Sequence, residues 1–172
     1  MNLTEYAQET RDSIDRITQR QTESVIEFLK IKKGIIHTFG NGGSSSSASH
    51  FTQDLMKACN RKSFCASDNS AYNLAIANDN NFNYIFSSYV LLNCNPDDVV
   101  FLISGSGKSL NIINAMWTAK YKKMKTIGLV GFDGGILYNA CDYIIHVKSN
   151  DMRKVESAMS IILHYIIDQL AI

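Results

Sequence analysis

Apolar positions along the first thirty residues recur at helical spacing. Leu3, Tyr6 and Ala7, then Ile14 and Ile17, then Val25, Phe28 and Leu29 are separated by polar residues, which predicts helix over 3–32 as one broken or two successive segments. The period changes at Gly34: Gly34–Phe39 is short and β-rich and runs into Gly40-Asn41-Gly42-Gly43. Serines then lead into a helical segment through Leu55 and Met56. Ser63–Ser67 is the next candidate strand, followed by helical stretches around Ala71–Ile76 and Tyr84–Leu92. Asp98–Ile103 is almost wholly apolar, as a strand buried on both faces must be, and it ends in Ser104-Gly105-Ser106-Gly107-Lys108-Ser109. A helix over about Leu110–Lys123, strands at Thr126–Val130 and Tyr143–Val147, and a last helix over Val155–Leu170 complete the pattern. Strands alternating with helices predict an α/β fold, a five-stranded parallel sheet between helical layers with a helical arm at the N-terminus.

Composition narrows the partners. At 172 residues, with no internal repeat or linker, the chain reads as a single domain over 1–172. Seventeen basic against sixteen acidic residues leave a charge of +1, which argues against nucleic acid or an anionic membrane as the main partner. The most apolar stretch, 158–172, is interrupted by His164, Asp168 and Gln169, and no signal-peptide pattern opens the chain. Cys59, Cys65, Cys94 and Cys141 are scattered, as expected of reduced thiols in a cytoplasm.

The chemistry gathers at two turns. Each runs from the carboxyl end of a predicted strand into a helix, where free N–H groups and the helix dipole favour an anion such as phosphate. Glycines admit close backbone approach and serines add hydroxyl donors. Neither turn is a nucleotide loop. Ser45 stands where the third glycine of a dinucleotide fingerprint belongs, and Leu102 where a Walker loop begins, so a P-loop phosphotransferase and a nucleotide cofactor are not expected. Lys108 offers a charge for phosphate or simply a solvated loop tip, while His37 and His146 fall within strands and read as structural.

Gly40-Asn41-Gly42-Gly43-Ser44, followed by Ala48-Ser49-His50-Phe51 and Asp54-Leu55, resembles the first signature of the phosphoheptose isomerases, within the sugar-isomerase (SIS) domain superfamily. The resemblance continues in order through Asp68-Asn69-Ser70, Ala75–Asp79, Ser104–Asn111, Ile127–Gly135, and Val155-Glu156 with His164. It implies a three-layer SIS sandwich and isomerisation of a phosphorylated sugar through an enediol, with sedoheptulose 7-phosphate the leading substrate and surface-polysaccharide heptose its use. It further implies that Asn41, Gly42, Gly43, Ser44, Asn78, Asp79, Ser104, Gly105, Ser106, Ser109 and Glu156 line the substrate site. Asp54 and His164 become the proton-transferring pair, and His50, Asp54, Glu156 and His164 the ligands of one zinc ion per site. A homotetramer with sites at subunit interfaces is implied as well.

The residues support part of this independently. His50 and Asp54 are four apart on a predicted helix and leave one face, a pairing suited to proton transfer and equally to a divalent metal. Departures from the family pattern are Gly105 for threonine, Asp54 for glutamate, Glu156 for glutamine and Met159 for histidine. Asp54 is one methylene shorter, so its carboxylate would fall roughly 1.5 Å short if the helix kept its place. Glu156 and His164 lie eight residues apart, roughly 12 Å along one helix, so a common site requires two subunits or a helix that begins after Glu156. The competing reading is a non-catalytic SIS sugar-phosphate sensor or assembly protein. Such a binder needs the loops but not His50, Asp54 and His164 together.

Overall fold

The structure is a computed structural model that describes residues 1–17 and 19–171. Thr18, inside the span read as helical, and Ile172, at the end of the apolar C-terminal stretch, lie outside the described residues. The arm is two helices, α1 (Leu3–Asp15) and α2 (Gln19–Ile31). Asn2 caps α1 by accepting from the Glu5 N–H, and the Glu5 carboxylate accepts from the Asn2 N–H, each at 2.9 Å. Next come β1 (Ile36–Gly40), α3 (Gly43–Lys57), β2 (Ser63–Cys65), α4 (Ser70–Asp79) and α5 (Ile85–Asn93). The chain closes with β3 (Val99–Ser104), α6 (Leu110–Tyr121), β4 (Lys125–Val130), α7 (Gly135–Ala140), β5 (Tyr143–His146) and α8 (Met152–Leu170).

The five strands form one sheet in the order β2-β1-β3-β4-β5, and every neighbouring pair is parallel. Alternation along β3 divides the core. Val99, Phe101 and Ile103 pack with Val25, Leu29, Phe51, Leu55 and the inner face of α8, while Val100 and Leu102 pack with α5 and α6 through Phe86, Val90, Ile112 and Met116. β1 and β3 are adjacent, with Gly40 beside Ile103, but their onward connections leave for opposite edges of the sheet. That is a topological switch point, where crossovers diverge and leave a crevice outside the carboxyl ends of the strands. Both glycine- and serine-rich turns open there.

The differences from the sequence reading are local. Ser63–Ser67 contracts to a three-residue strand, because Ala66–Asp68 turns into a 3₁₀ helix and Ser67 Oγ donates to the Gly40 carbonyl at 2.8 Å. The six-residue α7 sits between glycines and an irregular segment and is too short to show a period. The last helix begins at Met152, three residues earlier than read, because Asp151 caps it by accepting from the Arg153 N–H at 3.0 Å. This overturns one of the two routes to a shared site, since Glu156 already lies inside an unbroken α8. His37 and His146 are buried in the strands, as expected.

Candidate active site

At the switch point a cavity of about 290 Å³ is lined by Asn41, Gly42, Gly43 and Ser44 from the first turn and by Ser104, Gly105, Ser106 and Ser109 from the second. The two turns are tied by a reciprocal amide pair: Asn41 Nδ2 donates to Asn111 Oδ1 at 2.9 Å, and Asn111 Nδ2 donates to Asn41 Oδ1 at 2.8 Å. In the second turn the Gly107 N–H donates to Ser104 Oγ at 3.1 Å and the Lys108 N–H to Ser106 Oγ at 3.2 Å. Both hydroxyls accept from the backbone and keep their own protons to donate. Ser109 is the N-cap of α6, and its side chain makes no capping bond. The first N–H groups of a helix have no acceptor in its own backbone; in α6 the Ile112 N–H is taken by Asn111 Oδ1 at 3.0 Å, and the positive end of the dipole at this terminus favours an anion.

α8 closes the cavity from the side. Met152 and Glu156, four apart on one face, each occupy the space left by a glycine. A Cβ on Gly105 would lie 2.4 Å from Met152 Sδ, and one on Gly43 would lie 2.6 Å from Glu156 Oε1. The departure at Gly105 therefore makes room for Met152. Glu156 sets its carboxylate against the first residue of α3, where a helix N-terminus favours negative charge. Asn78 and Asp79 are not among the residues lining this cavity; they lie exposed at the end of α4, where Asn78 Nδ2 donates to Asp79 Oδ1 at 2.8 Å.

A second group lies further along α3. His50 Nε2 is 3.2 Å from Asp54 Oδ2 and 3.1 Å from Nε2 of His164, which α8 brings across. One ligand atom from each of the three residues falls within 4.8 Å of the others. Asp54 meets His50 despite its shorter side chain. The separations of 3.1 and 3.2 Å are close to the edge of a zinc tetrahedron, about 3.3 Å for bonds near 2.05 Å. Two imidazoles and a carboxylate that leave a fourth position open are a donor set that fits a catalytic zinc ion. Within one chain Glu156 is not in this group: it faces the turns, and His164 lies eight residues on along the same helix. Met159 is 1% exposed and belongs to the core.

Three features escaped the sequence reading: the Asn41–Asn111 pair, Met152 over Gly105, and an ion pair between Lys108 Nζ and Asp133 Oδ2 at 2.7 Å. That ion pair, together with the Gly135 N–H donating to Asp133, holds the Asp133 carboxyl below its ordinary pKa. Only the i, i+4 spacing of Met152 and Glu156 was visible beforehand.

Known proteins carry the same architecture and a related sequence. The SIS domain family matches residues 5–131. Phosphoheptose isomerase from Campylobacter jejuni is 37% identical over 148 residues, covering 83% of this chain and 78% of that protein. The phosphoheptose isomerase of Helicobacter pylori is 33% identical over 170 residues, covering 95% and 88%. The structure of phosphoheptose isomerase from Neisseria gonorrhoeae superposes with a TM-score of 0.89 at 26% identity, covering 97% of this chain and 93% of that one. Matching in sequence along most of its length and in fold throughout, the chain belongs to the SIS-domain proteins and, among them, to the phosphoheptose isomerase family.

Proposed function

We propose that this enzyme interconverts an aldose and a ketose phosphate, with sedoheptulose 7-phosphate as the ketose and a heptose 7-phosphate as the product, feeding surface-polysaccharide synthesis. The observation that carries the reading is the pairing of an anion cradle at the switch point with the His50–Asp54–His164 group, whose first two members stand on α3, the helix that opens at the cradle. A binder has no use for the second element.

The geometry and the family resemblance together support the following roles. Ser104, Ser106, Ser109 and the N–H groups opening α6 hold the phosphate, while Asn41, Gly42, Gly43 and Ser44 bound the sugar chain. Glu156 accepts hydrogen bonds from sugar hydroxyls and repels phosphate, so the substrate enters in one orientation. Asn78 and Asp79, on the exposed end of α4, belong to the substrate site of the assembled enzyme. Asp54 and His164 move the proton: the carbon beside the carbonyl loses its proton while the carbonyl oxygen gains one, giving the enediol, and the proton then returns to the former carbonyl carbon while the neighbouring hydroxyl loses its own and becomes the new carbonyl. His50, Asp54 and His164 would hold a zinc ion, with Glu156 a fourth ligand only from another subunit. Bound there, the ion supplies Lewis-acid polarisation of the substrate oxygens. Anchoring the phosphate matters because a flexible open-chain sugar must be held in register, and a ~1 Å misplacement can cost about 100-fold in rate.

We read residues 1–172 as one domain in a homotetramer, with sites shared between subunits, in the cytoplasm. Exposed Leu74, Leu92, Trp117 and Tyr121 support association, and four free thiols support a reducing compartment. Among the described residues, no helix is long and apolar enough to cross a membrane.

The test is proton exchange. In deuterated water the enzyme is expected to place deuterium at the carbon beside the carbonyl of sedoheptulose 7-phosphate while forming the aldose, both followed by NMR. Binding without exchange or conversion would leave a sugar-phosphate sensor instead.

A further inference from the structure

The cavity that takes the phosphate has an electrostatic deficit. Among the described residues lining it there is no lysine or arginine, and there is one carboxylate, Glu156. A phosphate monoester brings a charge of about −1.5 to −2 at neutral pH. Serine hydroxyls and backbone N–H groups orient that charge without neutralising it. The nearest cation in sequence is Lys108, between two serines that line the cavity, yet its ammonium is turned away onto Asp133.

The pair is free to part. Both side chains are well exposed, 59% for Lys108 and 64% for Asp133, so the ion pair contributes little to stability. The turn does not depend on it. Gly107 adopts φ +64°, a left-handed conformation that glycine takes without strain, and a Cβ there would lie 2.0 Å from the Gly134 carbonyl oxygen. The Ile136 N–H donates to the Gly107 carbonyl at 3.1 Å, and the Gly131 N–H to the Gly105 carbonyl at 2.9 Å. The second turn is thus joined through its backbone to the glycine-bearing turn 131–135. The Lys108 N–H, bonded to Ser106 Oγ, anchors the foot of a flexible four-carbon stem beside the cavity.

From this geometry we infer that Lys108 is a further phosphate-binding residue, resting on Asp133 in the free enzyme and moving to the phosphate when substrate enters. The inference depends on the cavity being the phosphate site. It makes Asp133 a competitor for the ammonium, so the two partners have opposite effects on affinity.

Lys108→Met and Asp133→Asn, with the native protein and a Ser106→Ala/Ser109→Ala variant, are titrated calorimetrically with sedoheptulose 7-phosphate and, separately, with inorganic phosphate. Asparagine keeps an oxygen for the Gly135 N–H, now 3.1 Å from Asp133 Oδ1, so the turn is preserved. Lys108→Met is expected to weaken both ligands about tenfold, the scale of one charge-assisted hydrogen bond, and to flatten the salt dependence of binding. Asp133→Asn is expected to bind as tightly as the native protein or more tightly. Equal weakening in both variants would make the pair a structural latch and overturn the inference. So would full affinity in Lys108→Met; if the double serine variant then loses binding, the phosphate site stands and only the role of Lys108 falls. A native protein that binds neither ligand overturns both.

Discussion

Asp54 and His50 meet because a helix places residues four apart on one face, and His164 joins them because α8 packs beside α3. If Asp54 and His164 exchange the substrate proton, Asp54→Asn and His164→Ala should each lower kcat by about 10² to 10⁴-fold, the scale of general acid–base catalysis. Calorimetric affinity for sedoheptulose 7-phosphate should change little, since the lost interaction belongs to the transition state. Near-normal turnover in either variant would contradict the assignment. His37 is a different kind of histidine. It is 1% exposed, its Nδ1 lies 3.3 Å from the Tyr89 hydroxyl, and its Nε2 lies 3.4 Å from Asp98 Oδ2, off the line of a hydrogen bond. Burial outweighs the attraction of Asp98 and lowers its pKa below the ordinary 6.5. The unfolded chain therefore takes up a proton at about pH 6.5 that the folded chain still refuses. The contribution of His37 to stability is complete above that pH and is lost as pH falls toward the folded pKa. Thermal midpoints measured between about pH 5 and 8 should fall on the acid side in the native protein. That slope should be shallower in His37→Gln, whatever the variant's absolute stability.

Among the elements, the second turn and α6 act as a unit. Ser106 and Ser109 lie on either side of Lys108 and line the cavity, and Ser109 is the N-cap of α6. Each ordinary hydrogen bond contributes ~0.5–1.5 kcal/mol and more when the partner is charged. Ser106→Ala/Ser109→Ala should therefore weaken sugar-phosphate binding by about 2–4 kcal/mol, read by calorimetry, with the melting temperature little changed because these hydroxyls are not core contacts. The nature of both turns was legible in the sequence, since glycine and serine after an apolar run speak to local backbone and donor chemistry. The boundaries of α3 and α8 were less so. Ser44–Ser47 are weak helix formers that give no sharp start to the helical segment they lead into, yet they occupy the first turns of α3, where packing of Ala48, Phe51 and Leu55 against the sheet overrides propensity.

For the molecule as a whole, α8 decides how many chains a site needs. Glu156 and His164 share an unbroken helix and, in one chain, serve two different places, the cradle and the histidine group. If both contribute to one site, the cradle of one subunit faces the histidine group of another. Sedimentation of the native protein should then give a tetramer. Replacing exposed apolar residues such as Leu92 or Trp117 with charged ones, should they lie at the interface, is expected to dissociate it and to remove activity together with assembly. A fully active monomer would contradict the shared site.

The order of strands and helices, the two turns and the His50–Asp54 face follow from the sequence, because each depends on residues within a few positions of one another. Buried alternation, glycine punctuation and i, i+4 spacing are all local. The strand order, and with it the switch point, depends on crossovers that place β1 beside β3, more than sixty residues later in the chain. The Asn41–Asn111 pair spans 70 positions and the His50–His164 contact 114. No periodicity encodes such distances. They arise when the sheet buries both of its faces and α8 packs beside α3, which brings Glu156 against Gly43 and Met152 against Gly105.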